Sequence, residues 1–509
     1  MSLVRALASV TLLSTGLAGC YDPKSPAGDG GSDSSDGSAG PSTAASVDTT
    51  QSAGDPTTAS NTTATGDESS SDEGSTAGPQ ACDGPDGEID PDCGDASTPF
   101  CQAGACVGCD ALEADACYAL DPATPVCTDG VCSGCVEHDA CPTGACRIET
   151  GECFAVANRL WVDNNAADCG AATGQQDAPF CTLAAAQMVL DQQPGTEPWA
   201  VFVAGSATAY TDGILSGARP LAFIGPSRGL SARLVRELQS VASIGGDGEL
   251  YLARLTIENT SDSGAAINCN AGIGYLDDLA VDSSQRALEV GGGTIRTRRS
   301  SFGSIGRTVH VAAGATLQMH DGEIANQSGA MLAEGDVTLV RSRVHYSYVE
   351  AGIEVTGTLR AINTMIYDNY YQFGDILAQP GSTLELSYTV IGTDGLDCPG
   401  TPGQSQQLIR NSIVLALDCP SAVIHDSAVG VEAALTQGQG NVLIQEADYA
   451  AVFVNASGNG NDLDFHVLPD APIVTGLAVW MEGDPIDDID GDPRPAEDGA
   501  MDVAGADVP

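Results

Sequence analysis

Two consecutive segments, TLQMHDGEI at residues 316–324 and DVTLVRSRV at residues 336–344, share one pattern of apolar residues and decide the fold. Six further nonamers carry it: ELYLARLTI (249–257), IGYLDDLAV (273–281), TIRTRRSSF (294–302), TLRAINTMI (358–366), TLELSYTVI (383–391) and QQLIRNSIV (406–414). Their last residues recur every 20 to 25 positions, and apolar residues alternate in short runs separated by glycine. Alternation with a period of about 22 residues predicts a solenoid of β-strands.

A second set of apolar runs follows the nonamers, so that each coil contains several strands. The runs are AAINC (265–269), ALEVGG (287–292), TVHVAAG (308–314), GIEVTG (352–357) and DILAQPG (375–381). Connections between parallel strands of one sheet are right-handed, and stacked repeats bury a continuous core. The sequence therefore predicts an all-β fold, a right-handed parallel β-helix, over residues 158–509.

The start of this region predicts a short helix that caps the first coil. Thr182 is a candidate N-cap, Leu183, Ala186 and Leu190 form one apolar face, and Pro194-Gly195 ends the helix. The surrounding segment, LWVDNNAADCGAATGQQDAPFCTLAAAQMVLDQQPG, resembles the opening of the pectin-lyase-like right-handed β-helix superfamily.

The end of the chain carries a second resemblance. DIDGDPRPAEDGAMDVAGADVP is similar to the Asp-x-x-Gly-x-x-Arg and Asp-Ile-Gly-Ala-x-Glu ending of the bacterial β-helix group called choice-of-anchor Q. Its last step departs from that pattern and reads Asp-Val-Ala-Gly-Ala-Asp at residues 502–507. The resemblance implies a fold and no single function, because this fold hosts lyases, hydrolases and adhesins.

The first residues predict export. Arg5 precedes an apolar run that is too short to span a bilayer, as in a signal peptide over residues 1–19. Leu17-Ala18-Gly19-Cys20 resembles the bacterial lipobox, which implies that Cys20 receives lipid such as palmitate. Several acyl chains give stable membrane attachment. We therefore expect a protein anchored in the outer membrane, facing the cell surface or the periplasm.

The composition of residues 20–81 predicts a disordered tether. The segment is rich in Ser, Thr, Gly and Asp and has almost no branched apolar residues, so it cannot bury enough surface to offset its ordering entropy. The whole chain has 69 acidic and 19 basic residues, a formal charge of -50. This charge argues against nucleic acid and anionic membrane surfaces as direct partners. We expect a monomer.

Twelve of the 18 cysteines lie in Cys82–Cys153 and form a repeat. TPFCQAGACVGC (98–109) returns as TPVCTDGVCSGC (124–135), and Cys141-x4-Cys146 begins a third, degenerate copy. An even set in an exported chain favours disulfides, with zinc as the alternative. Residues 82–157 are therefore expected to form a small disulfide-stabilised module. Similar repeats occur between tether and cargo in exported proteins of myxobacteria.

Two further disulfides are predicted outside this module. Cys398 and Cys419 are 21 residues apart, nearly one period, so stacking would bring their Cα atoms within disulfide range. Cys169 and Cys181 form a second pair at the N-terminal cover. Cys269 is then left as a small buried apolar residue.

The sixth nonamer position predicts a column of alternating charge. The column reads Arg254, Asp278, Arg299, Asp321, Arg341, Asn363, Tyr388 and Asn411. Opposite charges side by side on neighbouring strands would form a stabilising cross-strand ladder. The weaker alternative is a catalytic pair of Asp278 and Asp321, which an intervening Arg299 would keep ionised.

Aromatic residues are concentrated in one short region. Six of the 24 lie within residues 346–373: Tyr346, Tyr348, Tyr367, Tyr370, Tyr371 and Phe373. They follow two successive nonamers, which predicts equivalent turns on adjacent coils. Rings beside a hydrogen-bonding group such as Asp368 suit a sugar. An internal aromatic stack is the equally weighted alternative.

These observations lead to two hypotheses for function. The first is a cell-surface lipoprotein whose β-helix serves adhesion or polysaccharide binding without chemistry, with an extracellular polysaccharide or a surface protein as its partner. The second is a polysaccharide lyase or glycoside hydrolase acting on an acidic or neutral glycan, with Asp321, Arg341 and Asp368 as candidate catalytic residues. Calcium is the cofactor considered, with Asp488, Asp490 and Asp492 as weak candidate ligands, although structural closure is the favoured role of that segment.

Overall fold

The structure is a computed structural model and describes residues 81–85, 87–93, 100–112, 115–237, 239–261, 264–326, 328–369, 374–400, 406–457 and 463–509. Within these residues the main feature is a parallel β-helix, in which successive coils add one strand to each of three sheets. The predicted fold class is confirmed. The expected signal peptide, Cys20 and all but the last residue of the expected tether lie outside the described residues.

The strands of the three sheets follow one another from coil to coil. The first sheet contains Arg159–Val162, Trp199–Val203, Leu221–Ile224, Glu249–Ala253, Ile273–Asp277, Thr294–Arg298, Thr316–His320, Asp336–Val340, Thr358–Ile362, Thr383–Ser387, Gln406–Arg410, Val423–His425 and Gly438–Gln439. The second contains Ala232–Arg236, Leu255–Asn259, Ala280–Ser283, Ser301–Ser304, Glu323–Asn326, Arg343–His345, Met365–Tyr367, Val390–Ile391, Ile413–Val414, Ala428–Val429 and Val442–Leu443. The third contains Ile214–Leu215, Ala242–Ile244, Ala265–Cys269, Arg286–Val290, Arg307–Val311, Gly329–Ala333, Ile353–Val355, Ile376–Ala378, Leu396–Asp397 and Leu417–Asp418.

The last residues of the nonamers form one inward column of the second sheet. Ile257, Val281, Phe302, Ile324, Val344, Ile366, Ile391 and Val414 are successive Cα partners. Each is at most 3% exposed. Burying such a side chain stabilises the fold by about 1.5–3 kcal/mol, so this column holds the coils in the register that the sequence period predicts.

The sixth nonamer position lies at a corner between the first and second sheets. Its residues, from Arg254 to Asn411, all adopt left-handed backbone with φ between 46° and 55°, which is uncommon for residues other than glycine. The backbone N–H of each donates to a carbonyl of the next coil; that of Asp321, for example, donates to Val340 at 3.0 Å. Each nonamer is therefore two strands joined by one left-handed residue.

The predicted cross-strand charge ladder forms at one step only, because its column turns a corner instead of lying in a strand. Asp321 and Arg341 do pair, with Oδ1 and Nε 2.6 Å apart. Arg254 pairs with Asp139 instead (2.7 Å), and Arg299 pairs with Glu137 (2.8 Å).

A ladder of buried hydroxyls follows the corner residues. Its members are Ser300, Ser342, Thr364, Thr389, Ser412 and Ser427, all buried. Each hydroxyl donates to the carbonyl two residues earlier. Several also accept a backbone N–H from the preceding coil, as Ser412 does from Thr389 at 3.1 Å. The ladder satisfies polar groups that the sharp corner would otherwise leave buried without partners.

The N-terminal cover begins with the predicted helix, Leu183–Gln192. The Thr182 side chain accepts the N–H of Ala185 at 3.1 Å, as an N-cap does. Leu183, Ala186 and Leu190 are buried on its inner face. The other helical segments are Ala116–Leu120, Tyr449–Val452 and the 3-10 turns Cys109–Ala111, His138–Ala140, Glu432–Thr436 and Glu446–Asp448. None of the helices within the described residues is long and apolar enough to cross a membrane.

Within the part of the chain that the structure describes, five antiparallel strand pairs complete the fold. Three lie in the cysteine-rich module: Phe100–Gln102 with Ala105–Val107, Val126–Thr128 with Val131–Ser133, and Cys146–Arg147 with Glu152–Cys153. Two lie in the C-terminal segment: Phe453–Asn455 with Asp464–Val467, and Ala478–Val479 with Met501–Asp502.

The module consists of three units of four cysteines, each bridged first to third and second to fourth. The bonds are Cys82–Cys101, Cys93–Cys106, Cys109–Cys127, Cys117–Cys132, Cys135–Cys146 and Cys141–Cys153. The third cysteine of each quoted repeat, Cys109 or Cys135, therefore opens the next unit. Cys169–Cys181 and Cys398–Cys419 are also disulfide-bonded, and Cys269 is free and buried.

Candidate functional site

The two turns that contain the aromatic candidates lie on adjacent coils. They directly follow two paired strands of the second sheet, Arg343–His345 and Met365–Tyr367. His345 is the Cα partner of Tyr367. One residue further along, the N–H of Tyr346 donates to the carbonyl of Asp368 at 3.1 Å. These turns are therefore equivalent, as the spacing of the nonamers predicts. Three of the six aromatic candidates, Tyr370, Tyr371 and Phe373, lie outside the described residues.

The described rings divide into a packed group and an exposed group. His345 is only 7% exposed and stacks on Tyr367, with centroids 5.3 Å apart. Tyr367 also contacts Phe465 of the C-terminal segment at 5.2 Å. Tyr348, in contrast, is 44% exposed and lies 6.4 Å from the half-buried Tyr346. His345 and Tyr367 thus belong to an internal stack, whereas Tyr348 belongs to an exposed surface.

The exposed rings border a depression on the outer face of the second sheet, called here the tyrosine groove. Its floor includes Gly303 and Ala325, which are Cα partners on adjacent coils. Glu258, Asp282 and Tyr348 stand around this floor. The depression has a volume of about 610 Å³, within the usual range of ligand-binding sites. Small floor residues create it, because a larger side chain at either position would fill it.

A second depression lies beside the tyrosine groove on the same face. Its floor includes Ala280 and Ser301, which come two residues before Asp282 and Gly303 on the same strands and so point to the same side. It encloses about 560 Å³ and is bordered by the left-handed corner, including Arg299. The two depressions together cross the width of the second sheet over several coils.

Carboxylates stand around the tyrosine groove, and both carboxylates and arginines border the second depression. Glu258 accepts two bonds from the guanidinium of Arg233, the longer at 2.7 Å. Glu323 accepts from Nε2 of His345 at 2.9 Å, and this bond lowers the pKa of Glu323. Asp282 is exposed at the wall of the tyrosine groove. Carboxylates can accept bonds from sugar hydroxyls, and they repel a polyanionic chain.

The three candidate catalytic residues do not converge. Arg341 donates to Asp321 at 2.6 and 3.0 Å and also binds Asp487 of the C-terminal segment. Asp321 precedes the strand Glu323–Asn326, whereas the buried Asp368 follows Met365–Tyr367. The structure thus brings Asp321 and Arg341 together and places Asp368 at the opposite end of the second sheet.

The candidate calcium ligands lie in a turn that is held by hydrogen bonds between the Asp488 side chain and backbone N–H groups. The buried carboxylate of Asp488 accepts the N–H groups of Asp490 (2.9 Å), Asp492 (2.8 Å) and Val508 (2.8 Å). The side chain of Asp492 is exposed. Of the three candidates, Asp490 is the one whose carboxylate meets other possible metal ligands, those of His466 and Asp507.

The arginine of the same closing motif is fully buried. Arg494 donates to the carboxylate of Asp502 at 3.1 Å and to the carbonyl of Gly505 at 2.8 Å. Its guanidinium lies 4.2 Å from the ring of Tyr388 at the corner column. These contacts fasten the end of the chain to the β-helix, which supports structural closure as the role of this segment.

The third cysteine unit packs against the outer face of the first sheet, which the sequence does not predict. Both lie within one compact unit of the chain. Phe154 meets Tyr251 edge-on at 5.7 Å, and Tyr251 stacks on Tyr275 at 4.3 Å. Arg147 donates to Glu249 at 3.0 Å. The available signal was a tyrosine at the same outward position of two successive strands, Tyr251 and Tyr275.

A buried charge network joins the same two parts. Asp277 accepts from Arg298 and Arg299; burial opposes its ionisation, but these bonds outweigh it and lower the pKa of Asp277. His138 lies 3.8 Å from Asp277, and its Nδ1 accepts the N–H of Cys146 at 3.1 Å. Burial lowers the pKa of His138 to about 4, so this imidazole is neutral at neutral pH.

One short segment of the chain matches a known protein-family model. A model described as a family of unknown function (DUF8331) matches residues 119–159, which contain the end of the second four-cysteine unit and the whole third unit. No curated protein matches the chain.

Solved structures of low similarity cover part of the chain. A pectin methylesterase from Aspergillus niger, in deglycosylated form, is 12% identical over 57% of this chain and 91% of its own, with a TM-score of 0.30. The same enzyme in penultimately deglycosylated form gives 12% identity, the same coverage and a TM-score of 0.32. A pectin methylesterase mutant in complex with hexasaccharide IV is 11% identical over 53% of this chain and 78% of its own, with a TM-score of 0.26. The described residues themselves form a parallel β-helix with a disulfide-rich N-terminal module.

Proposed function

We propose that the protein is a cell-surface lipoprotein that binds a neutral extracellular polysaccharide in the tyrosine groove and does not cleave it. The observation that carries the proposal is the groove itself. It combines an exposed ring, Tyr348, with a floor of Gly303 and Ala325 and with polar walls. An apolar sugar face can pack on the ring while its hydroxyls bond to the walls.

The repetition of the fold suits a polymeric ligand. Neighbouring strands of a sheet are about 4.8 Å apart, so a chain lying across the coils meets an equivalent position at each step. The neighbouring depression above Ala280 and Ser301 extends the same face. A polysaccharide can therefore occupy several coils at once.

Charge favours a neutral glycan over a polyuronate. Glu258 and Asp282 stand at the walls, and the formal charge of the chain is -50. Because Glu258 is paired with Arg233, a polyanion would meet repulsion chiefly from Asp282 at the groove and from the net charge of the chain at long range.

Binding without cleavage is supported by the positions of the candidate catalytic residues. Asp321 is paired with Arg341, and Asp368 lies at the other end of the sheet. A general acid and its partner must both reach the scissile bond, and these three side chains do not share one place on the groove.

Lipid attachment at Cys20 and a tether up to residue 81 would hold this surface away from the membrane. A flexible chain of that length spans roughly 45 Å. This part of the proposal rests on the resemblance of residues 17–20 to the lipobox.

The test is a glycan-binding screen with the full-length lipidated protein in detergent, using neutral and acidic polysaccharides with and without calcium. Two variants disturb the groove: Tyr348→Ala removes the exposed ring, and Gly303→Leu fills the floor, where a Cβ would meet its nearest neighbours only at ordinary distance, 3.7 Å. Leu215→Ala, 58% exposed on the third sheet, is the matched control. We expect a neutral glycan to bind and both groove variants to weaken it roughly tenfold or more, with the control unchanged.

Three outcomes would contradict the proposal. Release of shorter products would show that the protein is an enzyme. Binding that is equal in wild type and both groove variants would place the site elsewhere. Selective binding of acidic glycans would overturn the assignment of a neutral ligand.

A further inference from the structure

We propose that His466, Asp490 and Asp507 bind a divalent cation of the zinc class. One ligand atom from each residue lies within 4.8 Å of the other two. None of these three residues lines the tyrosine groove, and the proposal does not depend on glycan binding.

Three separate segments converge at this place, and strand pairing or a hydrogen bond holds each of them there. His466 lies in the strand Asp464–Val467. Asp507 accepts the N–H of Val467 at 2.6 Å through one carboxylate oxygen. The backbone of Asp490 is fixed by its N–H bond to Asp488 at 2.9 Å. Such prior positioning reduces the entropy that binding an ion would cost.

The imidazole of His466 is oriented as a metal-binding histidine is. Its Nδ1 bonds to the carboxylate of Asp464, which leaves Nε2 to face the cluster. Nε2 lies 2.9 Å from the Oδ2 atom of Asp490. Histidines that bind metals almost always donate their second ring N–H to a carboxylate or carbonyl, and Asp464 is in that position.

The donor set selects the class of ion. Calcium and magnesium prefer sites made of oxygen atoms alone. An imidazole nitrogen with two carboxylates instead suits zinc or a similar transition metal, with further positions open to water. The assignment therefore differs from the weak candidate calcium ligands Asp488, Asp490 and Asp492, and it shares only Asp490 with them.

Arg343 is the competitor for this place. Its Nη2 lies 3.2 Å from Nε2 of His466 and 3.2 Å from Oδ1 of Asp490. The cluster contains one guanidinium but three carboxylates, those of Asp464, Asp490 and Asp507. The Arg343 side chain is 38% exposed, so it can move into solvent when an ion enters. The cation would then join the end of the chain to the Asp464–Val467 hairpin more firmly than the guanidinium does.

The experiment measures zinc binding to the untagged full-length protein after removal of metals by a chelator. Isothermal titration calorimetry should show one saturable site. His466→Ala and Asp507→Asn should abolish it, and Asp464→Asn should weaken it by roughly 10- to 100-fold. His425→Ala, on a strand of the first sheet, is the control and should bind zinc as wild type does.

Arg343→Gln gives the decisive variant, because its expected effect has the opposite sign. Removing the competing guanidinium should tighten zinc binding, whereas a purely structural ion-pair network predicts no zinc site in any variant. Since this outcome is a gain, it cannot arise from misfolding. Circular dichroism of each metal-free variant checks the fold of those that lose binding.

The proposal is overturned if wild type shows no saturable zinc site below millimolar concentration, if His466→Ala and Asp507→Asn bind as wild type does, or if Arg343→Gln binds more weakly. Calcium binding with the same dependence on these residues, in place of zinc, would overturn the class of ion.

Discussion

His345 and Tyr367 are Cα partners on adjacent coils, and their rings stack with centroids 5.3 Å and planes 6° apart. Tyr346, which follows His345 directly, meets the same imidazole edge-on at 4.4 Å. The exposed part of the groove is thus backed by packed rings. The site and the stability of the coil depend on the same stack.

Replacing Tyr367 by alanine should lower the free energy of unfolding by about 2–4 kcal/mol, because a largely buried ring loses its contacts with His345 and Phe465. Tyr367→Phe keeps the ring and should change stability by less than about 1 kcal/mol. Chemical denaturation of both variants measures this. Equal losses in the two variants would show that the hydroxyl, and not the stack, is responsible.

Arg494→Met should destabilise the fold by about 3–5 kcal/mol, because it leaves the carboxylate of Asp502 buried without its charged partner. The matched control is Arg360→Met, which breaks an exposed pair with Glu385 and should cost at most about 1 kcal/mol. Denaturant unfolding curves give both values. A similar small loss in both would contradict the closing role of Arg494.

The left-handed corner predicts opposite effects of two substitutions at Asp278, where φ is 54°. Asp278→Val should destabilise the protein by about 1–3 kcal/mol, since a β-branched residue is strained in this conformation. Asp278→Gly should be neutral or slightly stabilising because glycine adopts it freely. The measurement is the thermal unfolding of both variants. A valine variant that is more stable than the glycine variant would contradict a left-handed backbone at Asp278.

The buried His138 predicts that the docked module loses stability in acid. In the unfolded chain this histidine takes up a proton as the pH falls below its ordinary pKa of 6.5, whereas in the folded protein its pKa is about 4. A lowered folded pKa means that this contribution is present above pH 6.5 and is lost as the pH falls toward 4. The loss amounts to about 3 kcal/mol at 1.36 kcal/mol per pKa unit.

His138→Gln isolates this effect, since glutamine can still accept the N–H of Cys146 and does not titrate. The charged groups around the site, Asp277, Arg254, Arg298 and Glu137, remain in both proteins. Calorimetric unfolding from pH 7 to pH 4 should show a steeper decline for wild type than for the variant. Parallel profiles would mean that His138 makes no pH-dependent contribution.

Much of the fold could be predicted from local patterns. Apolar alternation and a period of about 22 residues give the inward column from Ile257 to Val414, because each strand must point the same residue toward the core. The sixth nonamer position was predicted to lie within a strand, but it forms a left-handed corner. Alternation continues on both sides of Arg254 or Asp321, and a single left-handed residue leaves no mark in a pattern of hydrophobicity.

The candidate site could be predicted only in part. The spacing of the nonamers places Tyr346 and Tyr367 on neighbouring turns, as the structure does. It does not reveal that Tyr367 is covered by Phe465 of the C-terminal segment, nor that Gly303 and Ala325 form a floor beside Tyr348. These contacts join residues whose side chains meet only after the coils have stacked.

The sequence by itself determined the class of fold, the length of the coil and the cysteines that pair outside the module, because strand alternation and a regular period act between near neighbours. The tertiary structure alone decided the corner, the groove and the docking of the cysteine-rich module. Glu137 and Arg299 pair although they are 162 residues apart, and Arg341 and Asp487 pair across 146. Such ion pairs depend on which surfaces the coils bring together, and no local pattern of residues specifies that.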